Sequence, residues 1–418
     1  MFCDLVGSTA LSARLDPEDL HEIIGAYQRL VADIVGNFDG FVAKYMGDGV
    51  LVYFGYPEAH EHDAERAVRA GLSLVEAIGR LETPVTLQVR IGLSTGLVVV
   101  GDIVGSGEAQ ERGIVGDTPN LAARLQGAAE PDTIVIGHRT RQLLGSLFEY
   151  CDLGAVAAKG FAEPVHAYQV LRESTVESRF EAFHGSALSP LVGREEEMDL
   201  LLRCWQRAKD GYGQVVLISG EPGIGKSRLT AAMFEQIGGE QHTRLRYFCS
   251  PNHVSSALYP IISQLERAAG FNRDDDPPAK FDKLDAQLSL ASGSPEDARL
   301  IADLLSLPDI GRYPPLSLSP PQRKQRTMHA LLQQLENLAR RQPVLQVFED
   351  VHWGDPSSIE VMDREIEFIR RLPVLLLMTY RPEFIPPWIG EPHVSTIALG
   401  RLDPQSCANL IERITDGN

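Results

Sequence analysis

Apolar positions in the first 172 residues alternate between the two periods that helices and strands impose. Leu20, Ile23, Ile24, Tyr27, Leu30, Val31 and Ile34 recur at helical spacing. The run opens on Asp16-Pro17-Glu18-Asp19, which sets an acid at the N-cap, proline at the first helical position and acids in the first turn. Phe41–Met46 and residues 50–54 read as two strands joined across Gly47-Asp48-Gly49, a hairpin with glycines in its turn. A second helix is expected over about residues 60–81, and strands over 86–93 and 97–102 on either side of Ser94-Thr95-Gly96. Thr118 is expected to cap a helix that holds Asn120 and Arg124, with a short strand at 133–136 after it. This order predicts an α+β sandwich, with helices on one face of a mainly antiparallel sheet.

The pattern breaks at residues 173–189, ESTVESRFEAFHGSALS, which are rich in Ser and Glu and hold no period, as a linker does. A second pattern starts at LVGREEEMDLLL, so the chain divides into 1–172, a linker at 173–189, and 190–418. There the continuous apolar run Val215-Val216-Leu217-Ile218-Ser219 leads into Gly220-Glu221-Pro222-Gly223-Ile224-Gly225-Lys226-Ser227 and then an apolar helix. This is the phosphate-binding GxxxxGK[ST] loop in its strand–loop–helix setting. Loop amides and the helix N-terminus cradle phosphates, Lys226 neutralises the β and γ groups, and Ser227 reaches the magnesium that accompanies ATP. A second buried-strand pattern at 343–348 ends in Glu349-Asp350, acids placed to hold the magnesium shell and to polarise water, and their order leaves the two roles open. A third, at 374–379, ends at Tyr380-Arg381, making Arg381 a candidate sensor of the γ-phosphate. The expected architecture is an α/β P-loop NTPase domain with a parallel sheet.

The first segment carries its own chemistry. Asp4 stands at the end of the opening strand, followed by the small loop Val6-Gly7-Ser8-Thr9, and Asp48 sits in the hairpin turn. Carboxylates at strand ends hold hard divalent ions, and a Gly-Ser-Thr loop offers amides to phosphate oxygens. FCDLVGST at 2–9, KYMGDG at 44–49, VRIGLSTG at 89–96 and GIVGDTPNLAARL at 113–125 resemble the catalytic domain of class III adenylyl and guanylyl cyclases over nearly the whole segment. The resemblance implies a ferredoxin-like α+β fold in which Asp4, Asp48 and the Leu5 carbonyl bind two magnesium or manganese ions. It also implies that Lys44 reads the adenine ring, that Asn120 orients the nucleotide and that Arg124 stabilises the transition-state phosphate. Asn120 and Arg124, spaced i, i+4, share a helix face, and a planar, permanently charged guanidinium suits phosphate oxygens. The family's second purine-reading position is Gly113 here, which has no side chain to accept from the adenine amino group. In this family metal carboxylates come from one subunit and the Lys, Asn and Arg from the other, so a homodimer with two equivalent sites is expected.

LVGRE at 191–195, the phosphate loop, FEDVHWGDPS at 348–357 and TYRPE at 379–383 resemble the signal-transducing AAA-related ATPases that follow cyclase domains in bacterial regulators and soluble adenylyl cyclases. The segment is expected to be C-terminally incomplete, lacking the small lid and helical repeats. Lys plus Arg number 39 against 57 for Asp plus Glu, a formal net charge of −18, which argues against nucleic acid as a partner. The five cysteines are scattered and form no CxxC pair, which fits a reducing, cytoplasmic setting, and no apolar run approaches a membrane span. The sequence therefore points to an adenylyl cyclase making cyclic AMP, with an ATPase module as a switch. Its alternatives are a nucleotide-dependent scaffold with a silent cyclase domain, and a guanylyl or mixed-specificity cyclase.

Overall fold

The computed structural model describes residues 1–12, 15–104, 111–156, 164–174, 182–183, 191–272, 275–289 and 294–415, so most of the expected linker lies outside them. Two compact units divide the chain, Met1–Ser186 and Ala187–Asn418.

The first unit holds β1 (Phe2–Leu5), β2 (Phe41–Met46), β3 (Gly49–Tyr53), β4 (Val89–Leu93), β5 (Val99–Val104), β6 (Glu111–Val115), β7 (Thr133–Gly137), β8 (Phe148–Val156) and β9 (Val165–Glu173). Its helices are α1 (Ser8–Ser12), α2 (Pro17–Asn37), α3 (Asp63–Gly79), α4 (Asp117–Ala128) and α5 (His138–Leu144). Seven strands form one sheet in the order β2-β3-β1-β4-β7-β9-β8, while among the described residues β5 and β6 pair only with each other. All pairs are antiparallel except β4 with β7. The α2 start is as read: the Asp16 carboxylate accepts the Glu18 N–H at 3.2 Å and Pro17 is the first helical residue. Ile23, Tyr27, Val31 and Val35 are the buried stripe of α2, and the Tyr27 hydroxyl donates to Cys3 Sγ at 3.2 Å.

Three expectations need correction. Thr118 does not cap α4; Gly116, with φ +150°, stands there and no side-chain cap bond forms. Thr118 Oγ1 instead donates to the Leu97 carbonyl at 3.4 Å, because residues 94–98 are irregular backbone rather than a strand entering the sheet. Helices also cover both faces of the sheet. Ile91 and Ile134 pack with α2 and α3, whereas a Cβ on Gly92 would lie 2.2 Å from the Ala122 carbonyl oxygen of α4. Neighbouring strand residues point to opposite faces, so α4 covers the second face, seated there because Gly92 has no side chain.

In the second unit β10 (Gln214–Ser219), β11 (Thr243–Phe248), β12 (Val344–Glu349), β13 (Val374–Tyr380) and β14 (Val394–Ala398) form an all-parallel sheet in the order β11-β12-β13-β10-β14. Both faces are buried, which is why VVLIS and VLLLMT read as unbroken apolar runs. Val216, Ile218, Leu345 and Val347 pack against α6 (Glu195–Lys209) and α7 (Lys226–Gln236). Val215, Leu217, Val344 and Phe348 face α8 (Tyr259–Ala269), α9 (Pro277–Ser289), α10 (Pro295–Leu304), α11 (Pro320–Ala339) and α12 (Pro356–Phe368). The last helix is α13 (Pro404–Ile414). No helix among the described residues is long and apolar enough to cross a membrane.

Gly92→Ala is expected to destabilise the first unit by about 1–3 kcal/mol, since the new methyl overlaps backbone that cannot give way. Gly36→Ala, where nothing lies within 4 Å of the added carbon, is expected to be neutral or stabilising in the same denaturation experiment.

Candidate functional site

Cys3 and Leu5 of β1 point into the core shared with α2 and α3, so Asp4 points to the α4 face. Antiparallel pairing of β1 with β3 (Phe2↔Leu51, Cys3↔Val50) brings the β2–β3 turn beside Asp4. Gly47, at φ +69°, makes that turn. The buried Gly49 keeps the space open, because a Cβ there would reach Asp4 Oδ1 at 3.4 Å. The Asp4 and Asp48 carboxyls end up sharing a hydrogen bond. Burial first, and then the Asp48 charge, hold the Asp4 carboxyl up at about 6, against opposing pulls from the Leu5 N–H and Arg90. Gln126 Nε2 of α4 approaches Asp4 Oδ2 at 3.5 Å, a neighbour that the motif reading did not single out.

The fit to divalent ions follows from this donor set. No cluster of three or more His, Cys, Asp or Glu side chains suited to a metal occurs among the described residues. What converges is two carboxylates with too little positive charge nearby, next to Leu5 at the end of β1. An all-oxygen set of this kind is what magnesium and manganese take.

The other expected residues are arranged around this pair. Gly7 turns the chain at φ +72°, but Ser8 and Thr9 begin α1 rather than extending a loop, since the Gly7 carbonyl accepts the Leu11 N–H at 3.0 Å. Lys44 is exposed on β2, just past a bulge between Val42 and Lys44. Gly113 pairs with Gly101 across the β5–β6 ribbon. Asn120 and Arg124 are exposed one turn apart on α4. Neither makes a hydrogen bond or ion pair to a described residue, so the structure does not join them to the acids within one chain.

In the second unit, Gly223 and Gly225 adopt φ +74° and +106°, which lets the loop from β10 wind back on itself before α7. Lys226 is buried, and its ammonium donates to the Gly220 carbonyl at 2.6 Å and the Glu221 carbonyl at 3.0 Å. Ser227 Oγ donates to Glu349 Oε2 at 2.9 Å, and Arg246 Nη2 donates to Glu349 Oε1 at 2.8 Å. Asp350, at φ +57°, leaves the strand, and its N–H donates to Thr379 Oγ1 at 3.0 Å. The two acids are therefore distinct: Glu349 is the one tied to the loop serine. The Arg381 guanidinium sits 5.8 Å from the Trp353 ring. Arg246 and Thr379 were not singled out from the sequence; the available signal was an arginine in the middle of TRLRYF and a threonine near the end of VLLLMTY.

Residues 1–172 match the family model described as adenylate and guanylate cyclase catalytic domain, and residues 190–367 match that of an AAA ATPase domain. An uncharacterized protein of Rhizobium meliloti (strain 1021) is 32% identical over 406 residues, 96% of this chain and 39% of that protein. Adenylate cyclase 1 of the same organism is 27% identical over 179 residues, 41% of this chain and 27% of that protein. The chain thus spans about two fifths of the first relative's length and about a quarter of the second's. The crystal structure of the adenylyl cyclase CyaB from P. aeruginosa is 32% identical, with a TM-score of 0.39, covering 41% of this chain and 92% of that one.

Arg246→Met is expected to lower the stability of the second unit by about 3–5 kcal/mol, because it leaves the buried Glu349 carboxylate unpaired. Adding Glu349→Gln should restore most of that loss in chemical denaturation. Equal unfolding midpoints for Arg246→Met and the parent would show that the pair carries no such energy.

Proposed function

Because residues 1–172 form an adenylate and guanylate cyclase catalytic domain and residues 190–367 an AAA ATPase domain, we propose that the chain is an adenylyl cyclase whose second unit binds ATP as a regulatory module. The reaction is an in-line attack of the ribose 3′-oxygen on the α-phosphorus. The bond to the pyrophosphate oxygen breaks, the 3′-hydroxyl proton leaves to solvent, and cyclic AMP and pyrophosphate result. Asp4, Asp48 and the Leu5 carbonyl would hold two magnesium or manganese ions, which supply charge neutralisation and a more acidic 3′-hydroxyl when bound. Lys44 takes the purine, and Asn120 sets the angle of the ribose. Arg124 meets the charge that grows on the phosphate oxygens. Gly7, Ser8 and Thr9 line the triphosphate with main-chain groups. Gly113 leaves the purine amino group without a side-chain partner, so base choice rests on Lys44.

The observation that carries this reading is the hydrogen-bonded Asp4–Asp48 pair. The exposed, unbonded Asn120 and Arg124 support a homodimer in which each chain completes the other's site. Exposed apolar side chains support it too: Leu97 is 89% and Val99 70% accessible, a surface that a second copy would cover. In the second unit, Lys226 and the loop amides would hold ATP phosphates, Ser227 and Glu349 a magnesium ion, Asp350 a water, and Arg381 the γ-phosphate side.

Purified protein with manganese and ATP should form cyclic AMP, with less cyclic GMP from GTP. Asp48→Ala and Arg124→Ala should each lower the rate at least about a hundredfold, while Lys226→Ala keeps basal cyclisation. Mixing the two inactive variants should restore about a quarter of parental activity, since half of the dimers are mixed and each of those has one intact site. No recovery would refute the shared site. Nucleotide binding with no cyclic product from the parent would instead favour a signalling scaffold.

A further inference from the structure

The face of the second sheet opposite α7 holds a cavity that the nucleotide site does not use. An inner chamber of about 40 Å³ lies between β11, β12 and helices α8, α11 and α12. It shares Leu245, Gln264, Gln287 and Leu338 with an outer groove of about 390 Å³ that reaches Arg341 and Gln342. Its walls are leucines, the side chains of Gln264, Gln287 and Gln334, and two stacked rings, Tyr247 and Phe348, whose centroids are 4.2 Å apart.

Its floor is polar. Gln346 is 2% and Glu365 3% exposed, and the two side chains hydrogen-bond each other. Gln346 Oε1 and Glu365 Oε1 are nevertheless both buried without a hydrogen-bond partner. Burial pushes the Glu365 carboxyl up to about 8, so the floor is neutral at pH 7. An amide oxygen and a carboxyl oxygen buried here without partners call for a group that bonds both, and a polar group is not left unpaired in such a place without cost. Gln346 lies between Leu345 and Val347, which face α7, so the sheet itself separates this chamber from the phosphate loop.

We propose that this cavity binds a small neutral molecule whose head both donates and accepts, a hydroxyl or a primary amide, on a short apolar body. The head donates to Gln346 Oε1 and accepts from the neutral Glu365 carboxyl, and the body runs along Tyr247, Phe348 and the leucines toward the outer groove. An anionic head is disfavoured, because the lining offers it no cation and it would lie against the Gln346 carbonyl oxygen and a buried carboxyl. The site is independent of the cyclase chemistry. The rival occupant is water alone, since the inner chamber has room for about three molecules.

The full chain is titrated at pH 7 with 1-hexanol, hexanamide and hexanoate by isothermal calorimetry and by the shift in its unfolding temperature. Saturable binding of 1-hexanol and hexanamide, with hexanoate at least tenfold weaker, is expected. Gln346→Leu should weaken 1-hexanol at least tenfold, and Leu335→Trp, which fills the chamber, should abolish binding. ATP binding at the phosphate loop serves in both variants as the check that the unit is folded. Equal affinity for hexanoate, no saturable binding of any probe, or unchanged affinity in a folded Gln346→Leu variant would each overturn the proposal and leave water as the occupant.

Discussion

Two carboxylates forty-four positions apart in the sequence are held against each other in the first unit, and most of that unit's local geometry can be traced to keeping them there. Like charges in contact repel, and partial burial makes the repulsion worse. The pair persists because β1 and β3 are locked in register by hydrogen bonds and by the apolar side chains Cys3, Leu5, Val50 and Val52 on the opposite face. The core thus offsets an electrostatic cost at its edge. Two acids held this close without a full counter-charge keep the local potential negative.

The second unit treats its acid in the opposite manner. Glu349 has Arg246 on one oxygen and Ser227 on the other, partners that oppose the upward push of burial on its carboxyl without cancelling it. Lys226 is likewise turned inward onto its own loop carbonyls. Nucleotide phosphates entering this loop must compete with those internal bonds, so occupancy and a change in local bonding are coupled.

Much of this was legible in the sequence because it is local. Asp16 and Pro17 announce a helix start, Gly47-Asp48-Gly49 a turn, and 214–227 a strand, loop and helix, each readable within a few residues. Most of the structure's departures are long-range. Nothing near Gly92 reveals that α4 will pack on it, and only the sheet order shows that β4 and β7 run parallel while their neighbours do not. Arg246 could not be matched to Glu349 without knowing that β11 lies beside β12. Thr118 looked like a cap because the irregular run before it read as a strand. Gln346 looked like one polar residue in an apolar run, and its meaning depends on Glu365 from a helix that follows.

The ribbon of β5 and β6 bonds to no other strand among the described residues, and Gly113 lies within it. A change of length or side chain in that arm need not propagate into the register that holds the acids. The ribbon can therefore vary as a separate arm, while the β1–β3 pairing that sets Asp4 beside Asp48 is held within the sheet.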